Sequence, residues 1–176
     1  MQFADPHTNI LQMGLHDGMK VADLGTGSGH YALSAAQIVG ATGRVYAVDV
    51  QEDILTRLQG ELTKQGIKNV ETIWGNIEKP GGTMLKEGAL DAVILSNTLF
   101  QVEHKEGALA EIQRILKPGG KLLVIDWAGP YGGIGPHEKS VVSEHQAEEL
   151  FITAGFHKVK SFRGGPHHYS ILFTLP

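Results

Sequence analysis

The amino-acid sequence predicts an α/β protein built on a doubly wound, mostly parallel β-sheet. Short runs rich in β-forming residues alternate with segments whose apolar residues recur at helical spacing. One run, 90–95, is apolar at almost every position, as in a central parallel strand that is covered on both faces. Two strand-like runs then close the sequence around a Gly-Gly-Pro segment, which predicts an antiparallel hairpin.

The first half of the sequence contains a short helical lead-in, three strands and two helices. The lead-in spans 9–14, the strands 20–24, 44–49 and 69–74, and the helices 31–39 and 53–65. The second of these helices is the clearest, because Ile54, Leu55, Leu58 and Leu62 share one face and Gly66 stops it. A glycine cluster separates the first strand from the first helix.

The second half begins with a loop and continues the alternation. The loop spans 78–88, the strands 90–95, 121–125, 156–162 and 169–175, and the helices 105–116 and 143–154. Ser143 is a good N-cap for the last helix, and Gly155 ends it. Residues 128–136 are glycine-rich and irregular, and the hairpin turn is predicted at 163–166.

The composition indicates one cytoplasmic domain over residues 1–176. This length can bury an adequate core without metal or disulfide cross-links, and cysteine is absent, which excludes thiol chemistry. The N-terminus lacks a secretory pattern, and no apolar stretch is long enough for a membrane span. A net charge of −4 makes nucleic acid an unlikely partner.

The loop after the first strand predicts a nucleoside-binding site. Gly25, Gly27 and Gly29 let the backbone approach a ligand, and Asp49 ends the second strand where a carboxylate can accept hydrogen bonds from ribose hydroxyls. The G-x-G-x-G order differs from the dinucleotide pattern, and Asp23 would repel a pyrophosphate but suit a cationic amino group. A tight strand-to-helix turn without a ligand is the alternative for the glycines alone.

The motifs together resemble the class I S-adenosylmethionine-dependent methyltransferases, closest to the type 11 and quinone-biosynthesis C-methyltransferase group. The similar segments are 23–29, Asp49 after 45–48, Gly75-Asn76, 90–97 and 116–120. The resemblance implies a Rossmann-like, seven-stranded sheet of order 3-2-1-4-5-7-6, with helices on both faces and a C-terminal antiparallel hairpin. It also implies S-adenosylmethionine as cofactor and S-adenosylhomocysteine as product.

Carried over by residue, the resemblance implies a cofactor site in three parts. The methionine part would be held by Asp23, Gly25, Thr26, Gly27, Ser28 and Gly29. The ribose would be held by Asp49, the adenine by Val50, Gly75, Asn76 and Ile77, and Ser96 would lie near the sulfonium. Asn76 departs from the family pattern, which usually has an aspartate accepting from the adenine amino group; the asparagine oxygen can accept one hydrogen bond, but without a charge.

The acceptor side is predicted less sharply. Asn97 is the candidate for orienting the acceptor, and Asp126 is the candidate base or cation-binding carboxylate, although either side chain could instead cap local backbone. His30, Tyr131 and His137 are the substrate-side candidates, with the loop 128–142 on that side and residues 1–19 as a short lid. Because adjacent strand residues face opposite ways, His167 and His168 predict no metal site. A short lid also leaves room for a homodimer.

The leading functional hypothesis is methyl transfer to a small molecule, since positioning supplies most of the rate of such reactions. A methyltransferase acting on RNA or protein is one alternative, and a non-catalytic S-adenosylmethionine-binding module is another. A nicotinamide-dependent reductase is the last, disfavoured because the sequence lacks the Tyr-x-x-x-Lys pair of short-chain dehydrogenases.

Overall fold

The computed structural model describes residues 5–131 and 133–176, which form seven strands, five α-helices and two short 3-10 turns. The strands are β1 Lys20–Leu24, β2 Arg44–Asp49, β3 Val70–Trp74, β4 Leu90–Ser96, β5 Leu116–Trp127, β6 His157–Gly165 and β7 His168–Thr174. The helices are α1 Pro6–Leu11, α2 His30–Val39, α3 Glu52–Gln65, α4 Lys105–Ile115 and α5 Glu144–Thr153. The 3-10 turns are Leu99–Gln101 and Glu138–Ser140. Residues 1–4 of the predicted lid and residue 132 of the predicted substrate-side loop lie outside the described residues.

All seven strands belong to one sheet in the order β3-β2-β1-β4-β5-β7-β6, which confirms the predicted order. The five strands from β3 to β5 are parallel, whereas β7 runs antiparallel to both β5 and β6. The strand order reverses between the parallel neighbours β1 and β4, because β2 and β3 follow on one side and β5 follows on the other. The loops that leave the carboxyl ends of β1 and β4 therefore turn in opposite directions and leave a crevice between them.

The helices cover both faces of the sheet, as predicted. One apolar cluster joins α1, α2 and α3 to strand residues such as Val21 and Ile94, and the other joins α4 and α5 to residues such as Leu24 and Leu95. Neighbouring residues of one strand thus enter different clusters, because successive side chains point to opposite faces. Burial on both sides explains why β4 reads as a continuous apolar run.

Helix α5 begins and packs as its sequence predicts. The Ser143 hydroxyl accepts from the Gln146 N–H, and the Gln146 side chain accepts from the Ser143 N–H, which together form a capping box. Phe151 then packs against Phe156 and Phe173, with ring centroids 5.7 and 5.1 Å away. This aromatic cluster fixes α5 against β7 and thereby positions the C-terminal hairpin.

Three predicted boundaries are wrong, each for a local reason. The lead-in helix starts earlier, at Pro6, since Asp5 caps it by accepting from the His7 N–H at 3.1 Å. Strand β5 includes 116–120, because the Gly119 N–H donates to the Leu175 carbonyl at 2.7 Å and extends the ladder. The hairpin turn lies at Pro166 and His167 rather than at 163–166.

Strand β6 forms one edge of the sheet and is exposed along most of its length. Its ladder with β7 shifts register twice, between Lys158 and Lys160 and between Arg163 and Gly165. Such irregularities bend a strand and interrupt its pairing pattern. No α-helix in the described part of the chain is long and apolar enough to cross a bilayer.

Candidate functional site

A cavity of about 810 Å³ lies in the crevice between β1 and β4, where the strand order reverses. It falls within the range of small-molecule sites, roughly 300–1,000 Å³. One side of its wall comes from the segments that follow β1, β2 and β3, and the other side from the segment after β4, the end of β5 and the start of β7. The lining side chains used below are Asp23, Asp49, Asn76, Asn97, Trp127 and His168.

The glycine loop after β1 is held against the neighbouring strand by its backbone. Both the Gly25 and the Thr26 N–H donate to the Val48 carbonyl, at 2.8 and 3.0 Å. A Cβ at Gly25 would collide with Thr98, whereas a Cβ at Gly27 would meet nothing within 4 Å. Gly27 has a φ of 52°, so the loop needs glycine there for its backbone shape and leaves open space beside it.

Asp49 ties the second strand to this loop through both carboxylate oxygens. Oδ2 accepts from the Gly27 N–H and Oδ1 from the Gln51 N–H, both at 3.0 Å. A carboxylate oxygen has further lone pairs, so each oxygen can accept another hydrogen bond from a ligand in the cavity. The side chain is buried but lines the cavity, which suits the binding of paired hydroxyls.

Asp23 is a second carboxylate in the same wall and is almost fully buried. Its Oδ2 accepts from the Thr26 hydroxyl at 2.7 Å and from the Ala32 N–H at 3.1 Å. Burial raises the pKa of Asp23 to about 6, against these hydrogen bonds and with a contribution from the charge of Asp49. Two close carboxylates without a basic partner in the wall favour a cationic ligand, so the donor and acceptor set fits an amino acid joined to a nucleoside.

The wall beyond Asp49 combines apolar and polar side chains. Val50 and Ile77 are its apolar members, and a Cβ at Gly75 would lie 2.6 Å from the Gly82 carbonyl oxygen, so only glycine fits there. The polar side chains include Asn76 and Glu78, and Asn76 Oδ1 accepts from the Glu78 N–H at 2.8 Å. Two apolar side chains beside hydrogen-bonding groups suit a flat heterocycle.

The other half of the cavity contains polar atoms that have no partner among the described residues. Asn97 has a φ of 53°, which is uncommon outside glycine, and its buried Oδ1 accepts no hydrogen bond from residues 5–131 or 133–176. His168 is 3% exposed, and neither of its ring nitrogens has a partner in that part of the chain. Its ring centroid lies 4.4 Å from that of Trp127. Burial lowers the pKa of His168, and the nearby His167 adds to this, so the imidazole is neutral at physiological pH.

A family model described as a methyltransferase domain matches residues 15–160. The chain belongs to this family. Together with the fold, this places it among the class I S-adenosylmethionine-dependent methyltransferases, as the sequence motifs predicted.

Similar proteins agree with this assignment. A ubiquinone/menaquinone biosynthesis C-methyltransferase of Francisella tularensis is 34% identical over 122 residues, which cover 69% of this chain and 48% of that protein. The chain therefore spans about half the length of the curated relatives it matches. The crystal structure of a SAM-dependent methyltransferase from Aquifex aeolicus is 29% identical, covers 98% of this chain and 90% of that one, and has a TM-score of 0.90. The [4+2]-cyclase SpnF, 16% identical with a TM-score of 0.80 and covering 97% and 80% of the two chains, shares the fold alone.

The cavity of about 810 Å³ brings together most of the site residues predicted from the sequence. Those in its wall are Asp23, Gly25, Thr26, Gly27, Ser28, His30, Asp49, Val50, Gly75, Asn76, Ile77, Ser96 and Asn97. Gly29 is not among them; it precedes α2 and packs against Leu58, which a Cβ there would meet at 2.5 Å.

Three residues predicted on the acceptor side do not line this cavity. Asp126 accepts from the Trp127 N–H at 2.7 Å and from the Phe100 N–H at 3.3 Å, so it caps the 3-10 turn after β4. Burial raises its pKa to about 6. His137 is exposed and accepts from the Lys139 N–H. Tyr131 lines a second, smaller cavity of about 430 Å³, and His168 borders both cavities.

Sequence reasoning missed several residues of the cavity wall, among them three that bear on its chemistry. Tyr31 follows the predicted His30, and its hydroxyl accepts from Asn9 at 3.0 Å, which links the wall to α1. Trp127 and His168 face each other because β5 and β7 pair antiparallel at these positions. The histidine pair 167–168 was a usable signal, but it was considered only as a metal site. In the described part of the chain, no three His, Asp or Glu side chains group as metal ligands would.

Proposed function

We propose that this protein transfers the methyl group of S-adenosylmethionine to a small, uncharged molecule. The observation that carries the proposal is one cavity with two unlike halves. The glycine loop, Asp23 and Asp49 form an acidic half, whereas Asn97, Trp127 and His168 form an aromatic half with unpartnered hydrogen-bonding atoms.

The acidic half matches the parts of the cofactor. Asp23 would hold the cationic amino group, the glycine loop would approach the methionine portion, and Asp49 would accept from the ribose hydroxyls. Val50, Gly75, Asn76 and Ile77 would surround the base, and Ser96 would lie beside the sulfur. When bound, S-adenosylmethionine supplies a methyl group activated by a positively charged sulfur.

The aromatic half would hold and orient the acceptor. Asn97 Oδ1 can accept a hydrogen bond, and a neutral His168 can donate at one nitrogen and accept at the other. An acceptor that carries an O–H or N–H group would satisfy these atoms, and His168 could take up the proton that the acceptor loses. Holding the acceptor in line is the main contribution that the protein makes to such a reaction.

The charge of the wall favours an uncharged acceptor. Its charged side chains are Asp23, Asp49 and Glu78, and no Lys or Arg among the described residues lines the cavity. An anionic acceptor would meet this negative field without a cationic partner. RNA is disfavoured for the same reason, whereas a non-catalytic binding module would have no use for unpartnered atoms beside the cofactor.

Several broader predictions belong to this proposal. Residues 1–176 would act as one methyltransferase domain in the cytoplasm, alone or as a homodimer. Pro6 lines the cavity, which supports a lid function for the described part of 1–19. The loop 128–142, with Tyr131 and His137, would line the acceptor's route, since Tyr131 belongs to the second cavity next to His168.

The test is a turnover assay with S-adenosylmethionine and three separate acceptor pools: small metabolites, total RNA and unfolded protein. We expect S-adenosylhomocysteine to form with the small metabolites. Product with RNA or protein alone would contradict the small-molecule acceptor. Binding of S-adenosylhomocysteine without turnover in any pool would favour a binding module, and binding of NADH but of neither sulfur compound would overturn the whole proposal.

A further inference from the structure

Asn76 follows β3, is half-buried and lines the cavity between Val50 and Ile77. Its side-chain amide has two chemically different ends, because the oxygen only accepts hydrogen bonds and the NH2 group only donates them. Which end faces the ligand therefore decides which group of the ligand can pair with it.

The oxygen end faces the protein's own turn. The Glu78 N–H donates to Asn76 Oδ1 at 2.8 Å and closes a tight turn. Rotating the amide by half a turn would place its NH2 group against that N–H, so two donors would face each other. In the observed orientation, the NH2 group donates to none of the residues that the structure describes.

The surrounding loop fixes this turn in place. The Asn76 N–H donates to the Gly82 carbonyl at 2.9 Å, and the Lys79 N–H donates to the Asn76 carbonyl at 3.3 Å. The Glu78 carboxylate in turn accepts from the His104 N–H at 2.7 Å, which anchors the turn to the start of α4. The orientation of the Asn76 amide is therefore preset, with its oxygen toward the Glu78 N–H.

The position of Asn76 relative to the ligand follows from strand order and rests on the proposed function. With the amino-acid part at the β1 loop and the ribose at Asp49 on β2, the base must extend toward β3, the next strand outward. Asn76 is the first polar side chain of the wall after β3. Its NH2 group then lies where an aspartate would keep a second oxygen free to accept from the 6-amino group of adenine.

We propose that Asn76 presents a hydrogen-bond donor to the base, so that this protein does not select its cofactor by the 6-amino group of adenine. The amino group of adenine is itself a donor and gains no partner from the Asn76 NH2 group. The affinity then comes from the ribose and amino-acid contacts and from the apolar contacts of Val50 and Ile77 with the base. A cofactor analogue that lacks the 6-amino group should bind about as well as the natural compound.

The experiment compares S-adenosylhomocysteine with its purine analogue, in which hydrogen replaces the 6-amino group, by isothermal titration calorimetry. For the wild-type protein we expect dissociation constants within about threefold of each other. Asn76→Asp keeps an oxygen for the Glu78 N–H and adds a free acceptor. It should bind the natural compound at least about tenfold more tightly than the analogue, the effect of one charge-assisted hydrogen bond.

Gln59→Glu is the matched control, because it adds the same charge on the exposed side of α3, outside the cavity wall. It should keep the wild-type ratio of the two dissociation constants. A wild-type preference of tenfold or more for the natural compound would overturn the inference and leave the proposed function intact. An unchanged ratio in Asn76→Asp would also overturn it, because Asn76 would then not face the 6-position. If neither compound binds the wild-type protein, the proposed function and the inference fail together.

Discussion

The two halves of the cavity differ in how their polar side chains are partnered. In the half formed after β1 and β2, Asp23 and Asp49 each accept two hydrogen bonds from the protein. In the half formed by β4, β5 and β7, Asn97 Oδ1 and both nitrogens of His168 are buried and have no partner in the described part of the chain. One half is thus complete before a ligand arrives, whereas the other lacks partners that a ligand could supply.

This difference in hydrogen bonding separates the part of the wall that is satisfied without a ligand from the part that a ligand would complete. Each unpartnered buried polar atom costs on the order of 1–3 kcal/mol. Such a cost persists at functional sites, where a ligand later satisfies the atom, and is rare elsewhere. Under the proposed function, the first half supplies cofactor affinity and the second half handles the acceptor, and variants can test the two roles separately.

The largest effect is expected from Asp49→Ala in the partnered half. Loss of the carboxylate removes the hydrogen bonds to the ribose and frees the glycine loop, so S-adenosylhomocysteine should bind at least about 100-fold more weakly. The matched control is Asp126→Asn, which alters a buried aspartate outside the cavity wall. Calorimetry should give this control an affinity within about threefold of wild type. Equal losses in both variants would mean that the effect is one of folding.

A smaller effect is expected from His168→Phe in the unpartnered half. Phenylalanine keeps a ring against Trp127 but removes both nitrogens, so turnover should fall about 100-fold, as for loss of a proton acceptor. The affinity for S-adenosylhomocysteine should stay within about twofold. The free energy of unfolding should rise by about 1 kcal/mol or more, since two unpartnered atoms are gone. A less stable variant with unchanged turnover would show that His168 is only part of the core.

The smallest effect concerns the pH dependence of the affinity for S-adenosylhomocysteine. The pKa of Asp23 is raised to about 6, and its proposed contact with the cationic amino group of the ligand requires the charged form. The affinity for S-adenosylhomocysteine should therefore fall by up to about tenfold per pH unit below pH 6. Asp23→Asn should bind more weakly, but with an affinity that is flat between pH 5 and 7. A wild-type affinity that does not change over this range would contradict the role of Asp23.

The stability of the ligand-free protein should change with pH in the opposite sense. Asp23 and Asp126 both have pKa values raised from 3.8 to about 6, so the folded state binds protons more tightly than the unfolded one. Their contribution to stability is present below about pH 4 and is lost as the pH rises through about 6. Asp126→Asn should reduce this dependence without changing the pH dependence of affinity.

The sequence predicted the partnered half well because its parts are close together in the chain. The glycine loop, Asp23 and Asp49 belong to consecutive strand-loop-helix units, and parallel strands bring their carboxyl ends to one edge of the sheet. The same alternation predicted the doubly wound sheet, whereas the strand order and the helices on both faces were implied by the resemblance to the methyltransferases. The roles of these residues toward a cofactor stay predictions that the variants above test.

The unpartnered half could be predicted only in part, because distant segments meet there. Asn97 was found at a strand end, but the Trp127–His168 pair depends on the antiparallel register of β5 and β7, which no local pattern encodes. The sequence predicted Asp126 as a base or cation-binding carboxylate. It gave no clear pattern for the 3-10 turn Leu99–Gln101, whose backbone Asp126 caps in the structure. A short turn of this kind follows from its surroundings rather than from propensity.

The irregular edge strand β6 bears on how the protein behaves at high concentration. An edge strand exposes unpaired backbone groups that can recruit a strand from another molecule. Here Lys158 and Lys160 flank one interruption of the ladder, and a neighbouring chain would have to match the bend while burying two positive charges. Growth of the sheet from molecule to molecule, the first step toward amyloid-like aggregates, is thereby discouraged at this edge.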